Sequence, residues 1–120
     1  MQTRLPFAAI QDRSGRFVSR GLDSATAAAA GVDLPVDLRG SIIDAPGDQS
    51  YPIAGFTNLL VYRDQVDPAR SRALADFHRW CLNEGQSYAT ELDYAPLPAG
   101  VVEAAEARLA TMESQGQLLR

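Results

Sequence analysis

The sequence predicts an α/β fold with fewer strands than a complete sheet requires. Three observations carry that expectation. Short runs with apolar, β-branched and aromatic residues at Leu5–Ile10, Phe17-Val18 and Phe56–Tyr62 are bounded by Gly, Ser and Pro. Stretches with helical start and stop signals follow them. The strand runs fall short of the about five or six strands of an average sheet, so the chain reads as a piece of something larger.

Taken in order, Leu5–Ile10 and Phe17-Val18 flank a polar break, Gln11-Asp12-Arg13-Ser14-Gly15-Arg16. That pattern predicts strand, turn, strand. Leu22–Ala30 holds the alanine run and is followed by Gly31. Alanine is the best helix former, and glycine fits the position just past a helix end. Residues 32–50 are broken by Asp33, Pro35, Gly40, Pro46, Gly47 and Asp48, with Ile42-Ile43 as a brief strand. Phe56–Tyr62 is mostly apolar without alternation, which predicts a strand covered on both faces. Asp67-Pro68 supplies an N-cap and a proline at the first helical position. Ala73, Leu74, Phe77, Trp80 and Cys81 then mark an apolar stripe, and Gly85 is placed to stop the helix. A short helix over about Gln86–Leu92 and an ordered Asp93–Pro98 connector are expected next. The last helix is expected over about Ala99–Ser114, with Val101, Val102, Ala105, Leu109 and Met112 on one side and a frayed end at Gln115–Arg120.

Composition narrows the function classes. The chain has 120 residues, 46% of them hydrophobic and 22% charged, enough for a real core and too apolar for general disorder. Its net charge of −4 argues against nucleic acid and anionic membrane partners. All eleven basic residues are arginine. The single cysteine, Cys81, excludes an internal disulfide and a multi-cysteine metal site. No run approaches the ~20 apolar residues of a membrane span. Met1–Ile10 lacks the long apolar core and cleavage site of a signal peptide, so no export address is expected on these residues.

The candidate site residues divide as follows. Thr57 and Asn58 either line a cleft or bond locally, and local bonding is the commoner fate of buried polar groups. Arg13-Ser14-Gly15 has the residue types of an anion loop, but no helix begins directly after it, so a hairpin turn is favoured. His78 lies at the edge of the helical stripe. With Cys81 it makes an i, i+3 pair, and two ligands are a poor metal site. Cys81 is expected to be an inert buried thiol. Asp64, Asp67, Glu84, Glu91 and Asp93 are scattered around helix ends and form no catalytic pair. Asp67 would repel a phosphate from the helix terminus it caps. No Gly-rich phosphate loop, nucleophile elbow or metal constellation is present. The chemistry therefore predicts no enzyme, no cofactor and no catalytic, phosphate-binding or metal residue on this chain.

From Tyr51 onward the chain resembles the late part of the phosphate-specific periplasmic substrate-binding proteins of ABC transporters. The residues that carry the resemblance are Tyr51-Pro52-Ile53-Ala54-Gly55-Phe56-Thr57-Asn58-Leu59-Leu60-Val61-Tyr62-Arg63-Asp64-Gln65, then Asp67-Pro68, Ala73–Phe77, Trp80, Glu84-Gly85-Gln86, and Leu92–Pro98 leading into Val101-Val102. Leu5–Gln11, the Ser14-Gly15 turn and the alanine helix fit as well, so the resemblance covers about residues 4–113.

It implies a partial two-lobed flytrap, incomplete on its own. Residues 1–54 would be the C-terminal part of lobe two. Residues 55–120 would be a hinge-crossing strand and the C-terminal helices of lobe one. The family's phosphate ligands lie in a first half that this chain does not contain. The implied function is scaffold and hinge of a phosphate-binding protein. Its implied partners are the N-terminal portion of the same protein, inorganic phosphate in the complete assembly only, and an ABC permease. The resemblance implies an extracytoplasmic or periplasmic place, whereas a natural product with no signal peptide would stay in the cytoplasm. The alternative is a stand-alone structural domain that oligomerises through unpaired sheet edges.

Overall fold

Ile10–Gln11 (β1) and Phe17–Val18 (β2) pair antiparallel, with Ile10 opposite Val18. The computed structural model describes residues 6–119, so the expectation on Leu5 lies outside the described residues. Within the expected run, only Ile10 is in a strand. The turn between the strands is held by the Asp12 side chain, whose Oδ1 accepts from the Ser14 amide (2.9 Å), the Ser14 hydroxyl (2.6 Å) and the Arg16 amide (2.9 Å). Gly15 sits at φ 88°, where a side chain would be strained.

Leu22–Ala30 (α1) forms with the expected bounds. Ala28 and Ala29 are buried against Ile42 and Ala45, with Val32, Ala54 and Phe56 packed beside them. Gly31 does end the helix, but its φ of −82° is ordinary. The requirement there is space: a Cβ would run into the Pro46 carbonyl oxygen. The brief strand expected at Ile42-Ile43 is absent. Ile42 is buried and Ile43 exposed, and the loop is fastened instead by Tyr51 N to Ser24 O (3.1 Å) and Asp44 N to Pro52 O (2.9 Å).

The largest departure from expectation is Phe56–Tyr62. These residues are extended but belong to no strand. Among the described residues, no backbone hydrogen bond involves residues 55–61. Leu60 is 92% exposed and Tyr62 83%. The local sequence has strand character, but a strand also needs a hydrogen-bonded neighbour, and none of the described residues pairs with it.

Pairing begins just afterwards. Asp64–Gln65 (β3) runs parallel to Glu113–Ser114 (β4), which is antiparallel to Gln117–Leu118 (β5). Pro68–Leu82 (α2) starts as expected: Asp67 Oδ1 accepts from the amides of Ala69 (2.9 Å) and Arg70 (3.2 Å). Its buried face is not the expected stripe. Ser71 and Ala75 are buried, whereas Phe77 is 54% exposed and Trp80 44%. Ala75 packs with Leu109, Met112 and Leu119, and Leu74 and Leu82 flank that cluster. The Phe77 side of the helix turns away from it.

The helix ends at Leu82, before Gly85. Asn83 Nδ2 donates to Arg79 O (2.9 Å) and Glu106 Oε1 (2.8 Å). Gly85 is instead needed for close approach, since a Cβ there would lie 2.9 Å from the Trp80 carbonyl oxygen. The expected short helix is two 3₁₀ turns, Glu84–Tyr88 and Thr90–Leu92. Gln86 anchors the connector that follows. Its Nε2 donates to Cys81 O (2.7 Å) and its Oε1 accepts from Leu97 N (2.9 Å).

Ala99–Leu109 (α3) is five residues shorter than expected at its C-terminal end (114 − 109). The remainder is the β4–β5 hairpin, turned by Gln115 (φ 52°) and Gly116 (φ 77°). The expected fraying fails as well, because Leu119 is only 6% exposed. Arg120 lies outside the described residues.

Candidate functional site

The residues singled out in the sequence do not converge. Thr57 and Asn58 lie in the open segment; both are exposed, and neither side chain has a hydrogen bond among the described residues. His78 Nδ1 hydrogen-bonds the Leu74 carbonyl one turn earlier, at 2.8 Å. Cys81 is half-buried, short of the inert core thiol expected. Among the described residues, no three His, Cys, Asp or Glu side chains are grouped to hold a metal ion. Of the five acids, Asp64 lies in β3 and Asp67 caps α2, while Glu84, Glu91 and Asp93 mark the 3₁₀ turns.

The Arg13-Ser14-Gly15 turn has its cations matched by carboxylates. Arg13 reaches Asp44, through the backbone carbonyl and through the carboxylate at 3.4 Å. Arg16 pairs with Asp48, and its Nε lies 3.7 Å from Asp12 Oδ2. Hydrogen bonds from the Ser14 hydroxyl, and then from the Arg16 amide, hold the Asp12 carboxyl below the usual carboxylate range. The Arg16 hydrogen bond does the same for Asp48. An anion arriving here would compete with three carboxylates already in place. The hairpin-turn reading therefore fits the geometry.

A depression of about 370 Å³ lies between α1 and α3. Val32, Asp33, Leu34, Pro98 and Val101 are among its lining residues, and its only ionisable group is Asp33. It offers no cation to a phosphate.

The chain's prominent exposed features are apolar. One is the open segment Phe56–Tyr62, where Leu59, Leu60, Val61 and Tyr62 are all exposed. The other is a row of rings on α2 and the turn after it. Phe77 stacks on Trp80 (centroids 6.2 Å apart, planes at 22°), and Trp80 meets Tyr88 (5.9 Å, 36°). All three rings are about half exposed. Sequence reasoning found both segments but assigned them to the interior, because apolar strand and helix residues normally end there. Exposed apolar patches of this kind mark interaction surfaces.

No family model matches the chain. Individual proteins do. It is 33% identical over 109 residues to a phosphate-binding protein PstS of Xylella fastidiosa, which covers 89% of this chain and 30% of that protein. It is 32% identical over 112 residues to the phosphate-binding protein PstS of Pasteurella multocida, covering 92% of this chain and 33% of that one. A PstS of Methanocaldococcus jannaschii is 34% identical over 99 residues. The chain spans about a third of the length of the curated relatives it matches.

Proposed function

From the premise that this chain is a PstS-like segment, we propose that it is the C-terminal part of a phosphate-binding protein serving ABC-type phosphate uptake. It supplies scaffold and hinge and none of the phosphate ligands. One observation carries this reading: a strand-like, apolar segment, Phe56–Tyr62, stands open with no neighbouring strand among the described residues. A strand with these side chains belongs inside a covered sheet.

The proposed division assigns residues 1–54 to lobe two and residues 55–120 to the hinge-crossing strand and helices of lobe one. Two separate buried clusters support it. Ala28, Ala29, Ile42 and Ala45 form one; Ala75, Leu109, Met112 and Leu119 form the other. The segments also touch, since Thr26 Oγ1 donates to the Pro96 carbonyl at 2.9 Å. That contact fits halves joined at a hinge.

The complete assembly would hold inorganic phosphate through residues of the N-terminal portion. It would sit in the periplasm and deliver to an ABC permease. The relatives are named as binding proteins, and a binding role without catalysis is proposed here too. Among the described residues, no helix is long and apolar enough to cross a membrane.

Calorimetric titration with phosphate tests the reading. The 120-residue chain alone should bind weakly or not at all. Binding should return when the unmatched two-thirds of the Pasteurella multocida protein is mixed in. Tight phosphate binding by this chain alone would sink the proposal. A chain that oligomerises and never recruits the missing portion would favour the stand-alone structural domain.

A further inference from the structure

We propose that the Thr26 hydroxyl is a latch: its hydrogen bond to Pro96 holds the parts of the chain on either side of residue 54 in one relative orientation. The inference rests on the division near residue 54 in the proposed function. It deepens that reading by naming the side chain that sets how the two parts sit.

Three observations lead there. First, the tie is singular. Thr26 Oγ1 donates to the Pro96 carbonyl at 2.9 Å, across 70 residues. Among the described residues, no other hydrogen bond and no ion pair joins residues 6–54 to residues 55–119. A threonine inside a helix commonly turns its hydroxyl back to the carbonyl one turn earlier. Thr26 sits in the middle of α1 and bonds outward instead. Second, the acceptor is anchored. The next residue, Leu97, donates its amide to Gln86 Oε1 (2.9 Å), and Gln86 Nε2 donates to the Cys81 carbonyl near the end of α2 (2.7 Å). The Tyr94 amide is held by the Ala89 carbonyl (2.9 Å). A pull on Pro96 is therefore a pull on the α2 part, not on a loose connector. Third, the rest of the joint is loosely filled. The depression of about 370 Å³ lies across the division, with Ala29, Val32 and Leu34 on one wall and Pro98, Val101 and Ala104 on the other. Phe56 packs on the α1 cluster, and the backbone that follows it makes no hydrogen bond among the described residues as far as Val61. A joint with a gap and an unpaired connection can turn. The Thr26 bond forms in one setting of that joint and stabilises that setting over the others.

Distances between two spin labels on the full 120-residue chain test this. The labels go on V36C and E91C in a C81S background, both at exposed positions, one on each side of the joint. With Thr26 intact, the distance distribution should be a single narrow peak. Thr26→Val keeps the side-chain shape and removes the donor. It should broaden the distribution and raise the population outside that peak roughly two- to tenfold, the effect of one lost hydrogen bond. Thr26→Ser keeps the hydroxyl and should keep the narrow peak. A T26V distribution that matches the parent overturns the latch. Equal broadening by T26S overturns it as well, because the hydroxyl would then not be what holds the joint.

Amide hydrogen exchange on T26V separates the joint from the fold. The amides of α1, α2 and α3 should keep their protection while the label distances spread. Protection lost in α1 alone would make Thr26 a folding residue of that helix and overturn the latch. Protection lost equally in all three helices would overturn the division near residue 54, and with it the two-part account in the proposed function. Phosphate titration of the parent chain tests the phosphate-binding reading without reference to Thr26, so either can fail alone.

Discussion

Asp12 shows how a single side chain organises a turn. Its Oδ1 gathers three donors from Ser14 and Arg16, while Oδ2 is buried with no hydrogen bond among the described residues, its nearest cation being Arg16 Nε at 3.7 Å. The hydrogen bonds need the ionised carboxylate, so the folded pKa lies below the unfolded one. A depressed carboxylate pKa contributes stability that is full above the unfolded pKa. That contribution is lost as the pH falls through the folded value. Replacing Asp12 with Asn should therefore flatten the acid limb of a thermal-stability profile: the variant is less stable than the parent at neutral pH and converges on it as the pH falls through the folded pKa. An unchanged acid limb would show that the turn does not contribute. The sequence made the turn legible through Ser14-Gly15 but gave no hint of Asp12 as its organiser, because the donors meet only once the chain has turned. Gly31 and Gly85 carry the same lesson. Both sit where a helix stop is expected, and Gly31 does end α1, whereas α2 stops at Leu82, before Gly85. In the fold they are sites of close backbone approach, to Pro46 and Trp80, which no local pattern encodes.

Among the elements, local signals suffice where local physics decides. The alanine run fixed both ends of α1, and Asp-Pro marked the start of α2 to the residue. The cap itself is testable. Asp67→Ala should cost about 1 kcal/mol by denaturant unfolding, and Asp67→Asn much less, since both Ala69 and Arg70 amides lose an acceptor only in the first. Equal effects would mean that charge, not the hydrogen bonds, does the capping. Elements decided by distant partners are not legible in the local pattern. Met112 falls three residues after Leu109, a helical spacing, yet α3 stops at Leu109 because Glu113 finds Arg63 and Ser114 finds Gln65 across 50 and 49 residues. The exposed stripe of α2 and the unpaired 56–62 segment failed for the same reason. Periodicity says which side chains want cover, not whether cover is present.

For the molecule as a whole, shape carries the argument. Its radius of gyration is 16.6 Å, against about 14 Å for a compact domain of 120 residues. Its accessible surface is 8,688 Å², where a compact protein of this mass exposes about 6,300 Å². The excess is what a fold with two small cores and uncovered apolar surface should show. Such a molecule has no single core through which one mutation acts everywhere. Ile42 belongs to the α1 cluster and is 3% exposed, so Ile42→Ala should lower hydrogen-exchange protection across Leu22–Ala30 by opening that cluster. The amides of α2 and α3, packed around Leu109 and Met112, should keep theirs. If protection falls equally in all three helices, the chain unfolds as one cooperative unit, and the division near residue 54 is wrong. If it falls in α1 alone, the chain consists of two weakly coupled bodies, each short of the surface that would complete it.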